Sequence, residues 1–121
     1  MENIKTVSKI KSLLESNKNG ITINLNGNID RKKIGYYVAV TDNKINSLSN
    51  SYISKLVNKA LLLQKKNGIK IFIGGWFSKI TNKWYIDITL YIRNKNKALE
   101  IAKNKKQLAI FGIKKLQSIY L

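Results

Sequence analysis

Residues 84–93 alternate without a break, with Trp84, Ile86, Ile88, Leu90 and Ile92 in one register and Tyr85, Asp87, Thr89, Tyr91 and Arg93 in the other. A period of two sustained over this length is the pattern of a β-strand with an aliphatic face and a mixed aromatic and polar face. The aliphatic row must be covered, so the chain has to supply helices or a second sheet to pack on it.

The remaining segments supply both helices and further strands. Residues 3–17 predict a helix, because Ile4, Val7, Ile10 and Leu14 fall within one arc while Lys5 and Lys9 lie away from it. Asn17-Lys18-Asn19-Gly20 stops it. Ile21, Ile23 and Leu25 alternate with Thr22 and Asn24 as a half-buried strand. After a polar turn, residues 34–41 alternate again, Ile34, Tyr36, Val38 and Val40 against Tyr37, Ala39 and Thr41. These two strands are expected to form a hairpin with a basic loop. Residues 48–67 predict a long helix on the stripe Leu48, Tyr52, Leu56, Ala60 and Leu63, ended by Gly68. Ile69, Ile71 and Ile73 open a second hairpin with residues 84–93, and Gly74-Gly75 within it marks a bulge or a close backbone approach. A short helix at about 96–106, a strand at 108–113 and a tail at 116–121 that pairs or docks complete the chain. The order is α-β-β-α-β-β-α-β. The expected fold class is α+β, one domain over residues 1–121, with an antiparallel sheet built from two β-hairpins plus a C-terminal strand.

Charge carries the functional signal. The 121 residues hold 23 Lys+Arg and 6 Asp+Glu, a formal net charge of +17. A field of that sign attracts polyanions, and nucleic acid gains affinity from lysines through release of condensed counterions without any reading of sequence. Abundant Lys, Asn and Ile with no Pro suggest an AT-rich coding bias that inflates lysine, but such a bias does not account for the scarcity of acids. Only Arg31 and Arg93 are arginines, and bidentate guanine readout is mostly arginine chemistry, so sequence-specific duplex recognition is disfavoured.

Catalysis has little to draw on. With no Cys and no His, disulfides, thiolate and imidazole metal sites, histidine bases and catalytic triads are excluded. The acids Glu2, Glu15, Asp30, Asp42, Asp87 and Glu100 show no paired spacing of the kind a magnesium-dependent nuclease uses, and the expectation for Asp87 is a pairing with a neighbouring lysine or Arg93. Gly74-Gly75 leads into a second strand and not into a helix, which is not a phosphate-cradling context. The chain is therefore expected to be non-enzymatic, with no cofactor and no metal. No apolar run approaches the ~20 residues that span a bilayer, and the first residues lack the apolar stretch of a signal peptide. A cytoplasmic protein of a bacterial host cell, without a membrane partner, is expected.

Basic residues interleaved with aromatics give the candidate interface. Tyr85, Tyr91 and Arg93 share the mixed face of the 84–93 strand; Lys70 and Phe72 take the same face on its hairpin partner; Tyr37 and Trp76 are positioned to join them. Arg31, Lys32 and Lys33 form a basic loop, and the C-terminal lysines from Lys95 to Lys115 form a second cationic element. A cationic groove with aromatic faces is how sequence-tolerant single-strand binding works. Burial of these aromatics in the core or an interface is the competing reading, and Trp84, in the aliphatic row, is assigned to the core. The leading expectation is sequence-tolerant binding of single-stranded DNA, favoured over RNA and duplex, by a homodimer or higher homo-oligomer. The alternative is a protein-interaction module that binds and inhibits an acidic host factor.

Gly74-Gly75-Trp76, Trp84-Tyr85-Ile86-Asp87, Ala98 with Ala102, and Gln107-Leu108-Ala109-Ile110-Phe111 also form a recognisable series. Over about residues 60–115 the chain resembles small α/β domains encoded by phages and mobile elements, which carry a GGW turn, a YxD strand, an Ala-rich helix and a QxAIF strand. The resemblance implies a phage or mobile-element origin and brings no established activity with it. Members of that group are often acidic or neutral, so the basicity of this chain departs from their pattern.

Overall fold

The computed structural model describes residues 4–41, 43–104, 109–113 and 117–120. Three helices, α1 (Ile4–Ser16), α2 (Asn50–Asn67) and α3 (Lys95–Asn104), alternate with strands β1 (Ile21–Asn24), β2 (Tyr36–Ala39), β3 (Asn43–Ile45), β4 (Ile71–Ser78), β5 (Lys83–Ile92), β6 (Ala109–Gly112) and β7 (Gln117–Tyr120). The helix ends follow local chemistry. Ser49 caps α2 by accepting from the Tyr52 amide at 3.1 Å, and Gly68 closes it in the left-handed conformation. Asn94 caps α3 by accepting from the Lys97 amide at 2.9 Å. Lys105, Lys106, Leu108 and the tail ends Leu116 and Leu121 lie outside the described residues.

The strands form one antiparallel sheet in the order β1-β4-β5-β2-β6-β7, with β3 paired to β5 beyond the end of β2. The long β4–β5 hairpin is its spine, paired from Ile71↔Leu90 to Ser78↔Lys83 with no bulge. The aliphatic row behaves as its periodicity requires: Trp84, Ile86, Ile88, Leu90 and Ile92 are buried with Ile71, Ile73, Ile23 and Val38. Val7, Ile10 and Leu14 of α1, Ile53, Leu56, Val57 and Ala60 of α2, and Ala98 and Ala102 of α3 belong to the same core, so all three helices serve this one face. Gly75 is where α1 approaches most closely. A Cβ there would stand 2.5 Å from Leu14 Cδ2 and 2.9 Å from Ile86 Cδ1.

The pairing of β1 and β2 departs from expectation. They do not form a hairpin with each other; β1 pairs with β4, and β2 pairs with β5 and β6. The two spine strands thus lie between them, and the connection from Leu25 to Gly35 has to cross β4 and β5. It crosses on the side away from the helices, where Tyr37 and Tyr91 meet it.

Candidate nucleic-acid interface

The face of the sheet away from the described helices carries rows of side chains set by strand register, four of which follow the Ser78–Lys83 pair at the hairpin end. Trp76, Tyr85 and Lys44 form the first; Thr22, Gly74 and Asp87 the second; Asn24, Phe72, Thr89 and Ala39 the third; Tyr91 and Tyr37 the fourth. The crossing segment divides this face in two.

At the Tyr37–Tyr91 end the segment lies on the sheet as a strap. Asn24 Oδ1 accepts from the amides of Asn26 and Asn28, turning the chain back, and the Asp30 amide donates to the Thr22 carbonyl at 2.9 Å. Asp30, its side chain 6% exposed, then accepts from the Tyr37 hydroxyl and from Lys32 Nζ at 3.1 Å. The Lys32 ammonium sits 5.2 Å from the Phe72 ring centroid and 5.0 Å from that of Tyr91, a cation–π arrangement with two rings. Tyr91 donates its hydroxyl to the Ile34 carbonyl at 2.7 Å. Gly35 makes this approach possible: its φ of +106° suits glycine, and a Cβ would lie 2.6 Å from the Tyr91 oxygen. Burial, and the Asp30 carboxylate that accepts a hydrogen bond from its hydroxyl, raise the Tyr37 pKa above the ordinary phenol value.

The strap corrects part of the sequence reading. Phe72 is 2% exposed and is not a stacking platform, because the strap, Tyr37 and Lys32 enclose it. Tyr37 and Tyr91 are half-buried and engaged edge-on with each other, centroids 6.2 Å apart. Arg31 and Lys33 are exposed on the strap, and Arg31 borders a side groove with Lys9 and Leu13. Lys70 is exposed before β4, and Arg93 is exposed beyond the end of β5.

At the other end the face is open. Trp76 is 44% exposed and stacks on the half-buried Tyr85, with centroids 4.6 Å apart and planes 12° apart. Tyr85 is fixed through its hydroxyl to Thr81 Oγ1 at 3.2 Å, and Lys44 Nζ lies 5.9 Å from its ring centroid. Lys83 shares this face at the hairpin end, while Lys79 and Ile80, the latter 97% exposed, form the turn beyond. Trp84 is buried in the core as its row requires.

Between the Trp76–Tyr85 stack and the strap lies a cleft of about 650 Å³. Its floor is Thr22, Gly74, Asp87, Thr89 and Ala39, and the α1–β1 turn contributes Asn17, Asn19 and Gly20. Asp30 and Asp87, from segments far apart in sequence, both line it. Nothing in their spacing announces this meeting, which comes from the crossing connection. The described residues contain no cluster of three or more His, Cys, Asp or Glu side chains suited to a metal ion. Nor does any helix among them have the length and apolarity to cross a membrane. Comparison with protein-family models, with curated proteins and with solved structures finds no match for the chain.

Proposed function

We propose that this protein binds single-stranded nucleic acid, DNA before RNA, on the open half of its sheet and performs no catalysis there. The observation that carries the reading is Trp76: a large indole, 44% exposed, held on Tyr85 in a face that no helix of the described residues covers, in a chain of net charge +17. Exposing an aromatic of that size forgoes about 25 cal/mol for each Å² that burial would have removed from water. An aromatic kept rigid in solvent is ready to stack on an unpaired base, because its orientation is already fixed.

Lys44 and Lys83 flank the stack on the same face, and Lys79 lies in the adjoining turn. Their ammonium groups suit phosphates as point charges, which gives backbone affinity without sequence readout. A single strand presents both base faces and phosphates to such a surface, whereas a duplex hides its base faces. Competition of a labelled single strand against unlabelled DNA, RNA and duplex of the same sequence tests the preference. DNA single strands are expected to displace the probe at the lowest concentration; equal displacement by duplex contradicts the stacking role of Trp76.

A further inference from the structure

The cleft next to Trp76 is chemically unlike the surface around it. In a chain with 6 acids it gathers two of them, Asp30 and Asp87, while lysines occupy its margins. A phosphate is repelled by carboxylates, so the backbone of a bound strand is drawn to the lysines and away from the floor. What suits the floor is a flat group that donates hydrogen bonds. We propose that the cleft receives one unpaired nucleobase and favours bases with an exocyclic amino group, cytosine and adenine over thymine and uracil, with Asp87 as the accepting residue. This rests on the single-strand reading and adds a selective subsite to otherwise sequence-tolerant binding.

Three features support it. At about 650 Å³ the cleft falls within the roughly 300–1,000 Å³ of small-ligand sites. Second, no side chain rises from its floor at Gly74, which stands in register between Thr22 and Asp87 and where a Cβ would come 2.9 Å from Thr89 Oγ1. Third, the two carboxylates sit on different parts of the fold. Asp30 takes the Tyr37 hydroxyl and the Lys32 ammonium, which fixes it as part of the strap. Asp87 lies on the spine strand in the row next to the Trp76–Tyr85 stack. A carboxylate offers about four lone-pair sites, so Asp87 can accept from a base amino group in addition to its contacts within the fold. Carboxylates pair with the N4 amino group of cytosine, whereas the O4 of thymine is another acceptor and leaves both groups unsatisfied.

Fluorescence anisotropy with equal-length oligo(dC), oligo(dA) and oligo(dT) at pH 7.5 tests this. The wild type is expected to bind oligo(dC) and oligo(dA) about tenfold more tightly than oligo(dT). Asp87→Asn should bring the three together, since an amide can donate to thymine O4 as well as accept. Lys44→Ala should weaken all three alike and keep the preference. Equal binding of the three by the wild type overturns the cleft assignment and leaves single-strand binding standing. A preference for amino-bearing bases that survives in folded Asp87→Asn overturns the role of Asp87. Absence of binding to all three defeats this inference and the single-strand reading together.

Discussion

Trp76 and Tyr85 occupy directly paired positions of β4 and β5, and their rings lie face to face at 4.6 Å. One face of the indole is therefore spent on Tyr85, and under the proposed function the face turned away is the one that stacks on a base. The pair also shows why Trp76 and Trp84 differ. Trp84 is on the opposite side of the sheet, packed against Phe77 with centroids 5.3 Å apart, and contributes to the core.

Replacing Trp76 by Ala should lower the affinity for a single strand by about tenfold, the loss of one stacked base at ~1–3 kcal/mol. Its effect on stability should be near 1 kcal/mol or less, because a partly exposed aromatic pair contributes about 0.5–1.5 kcal/mol. Oligonucleotide titration and urea unfolding read the two effects separately.

Gly75→Ala should act the other way, on folding and not on binding chemistry. The new methyl meets Leu14 and Ile86 inside the core, and overpacking of this kind costs about 1–3 kcal/mol. The urea midpoint should fall with little change in slope.

The two faces of the sheet were legible in the alternation of residues 84–93, and the core followed from that row together with the apolar stripes of the helices. The end of α2 was legible as well, at Gly68. The pairing of β1 with β4 was not. Two strands separated by a short polar segment read as a hairpin, and nothing local signals that the segment instead spans two other strands. The burial of Phe72 and the meeting of Asp30 with Asp87 both depend on that crossing, so neither was legible from spacing. β3, at Asn43–Ile45, is too short to show a period.

Tyr52 gives a prediction of the opposite sign to most core changes. Its hydroxyl oxygen is buried without a hydrogen-bond partner among the described residues. Burial, with the Asp87 charge second, raises its pKa. Tyr52→Phe removes a desolvated polar atom that no bond repays, so stability should be unchanged or rise by up to about 1–2 kcal/mol. A drop of that size in thermal or urea unfolding contradicts the packing described here.

The raised pKa of Tyr37 sets a pH window. Its folded value lies above the unfolded value of 10.0, so below that pH both states hold the proton and the contribution to stability is complete. As pH rises beyond the unfolded value, the unfolded chain loses the proton first, and the contribution is lost on the way to the folded pKa. The difference in unfolding free energy between wild type and Tyr37→Phe should be constant from pH 7 to about 9.5 and shift against the wild type above that. A difference that stays flat through pH 11 contradicts the Tyr37–Asp30 contact.

The central claim is that an exposed indole and its flanking lysines bind a single strand. Anisotropy titration of a labelled single-stranded oligonucleotide, with wild type and Trp76→Ala at a low and a high salt concentration, tests it most directly. The account predicts micromolar or tighter binding by the wild type at low salt, weakening as salt rises with a slope near −0.7 per phosphate contact, and about tenfold weaker binding by Trp76→Ala. No binding by the wild type at low salt, or equal binding by the folded variant, contradicts it.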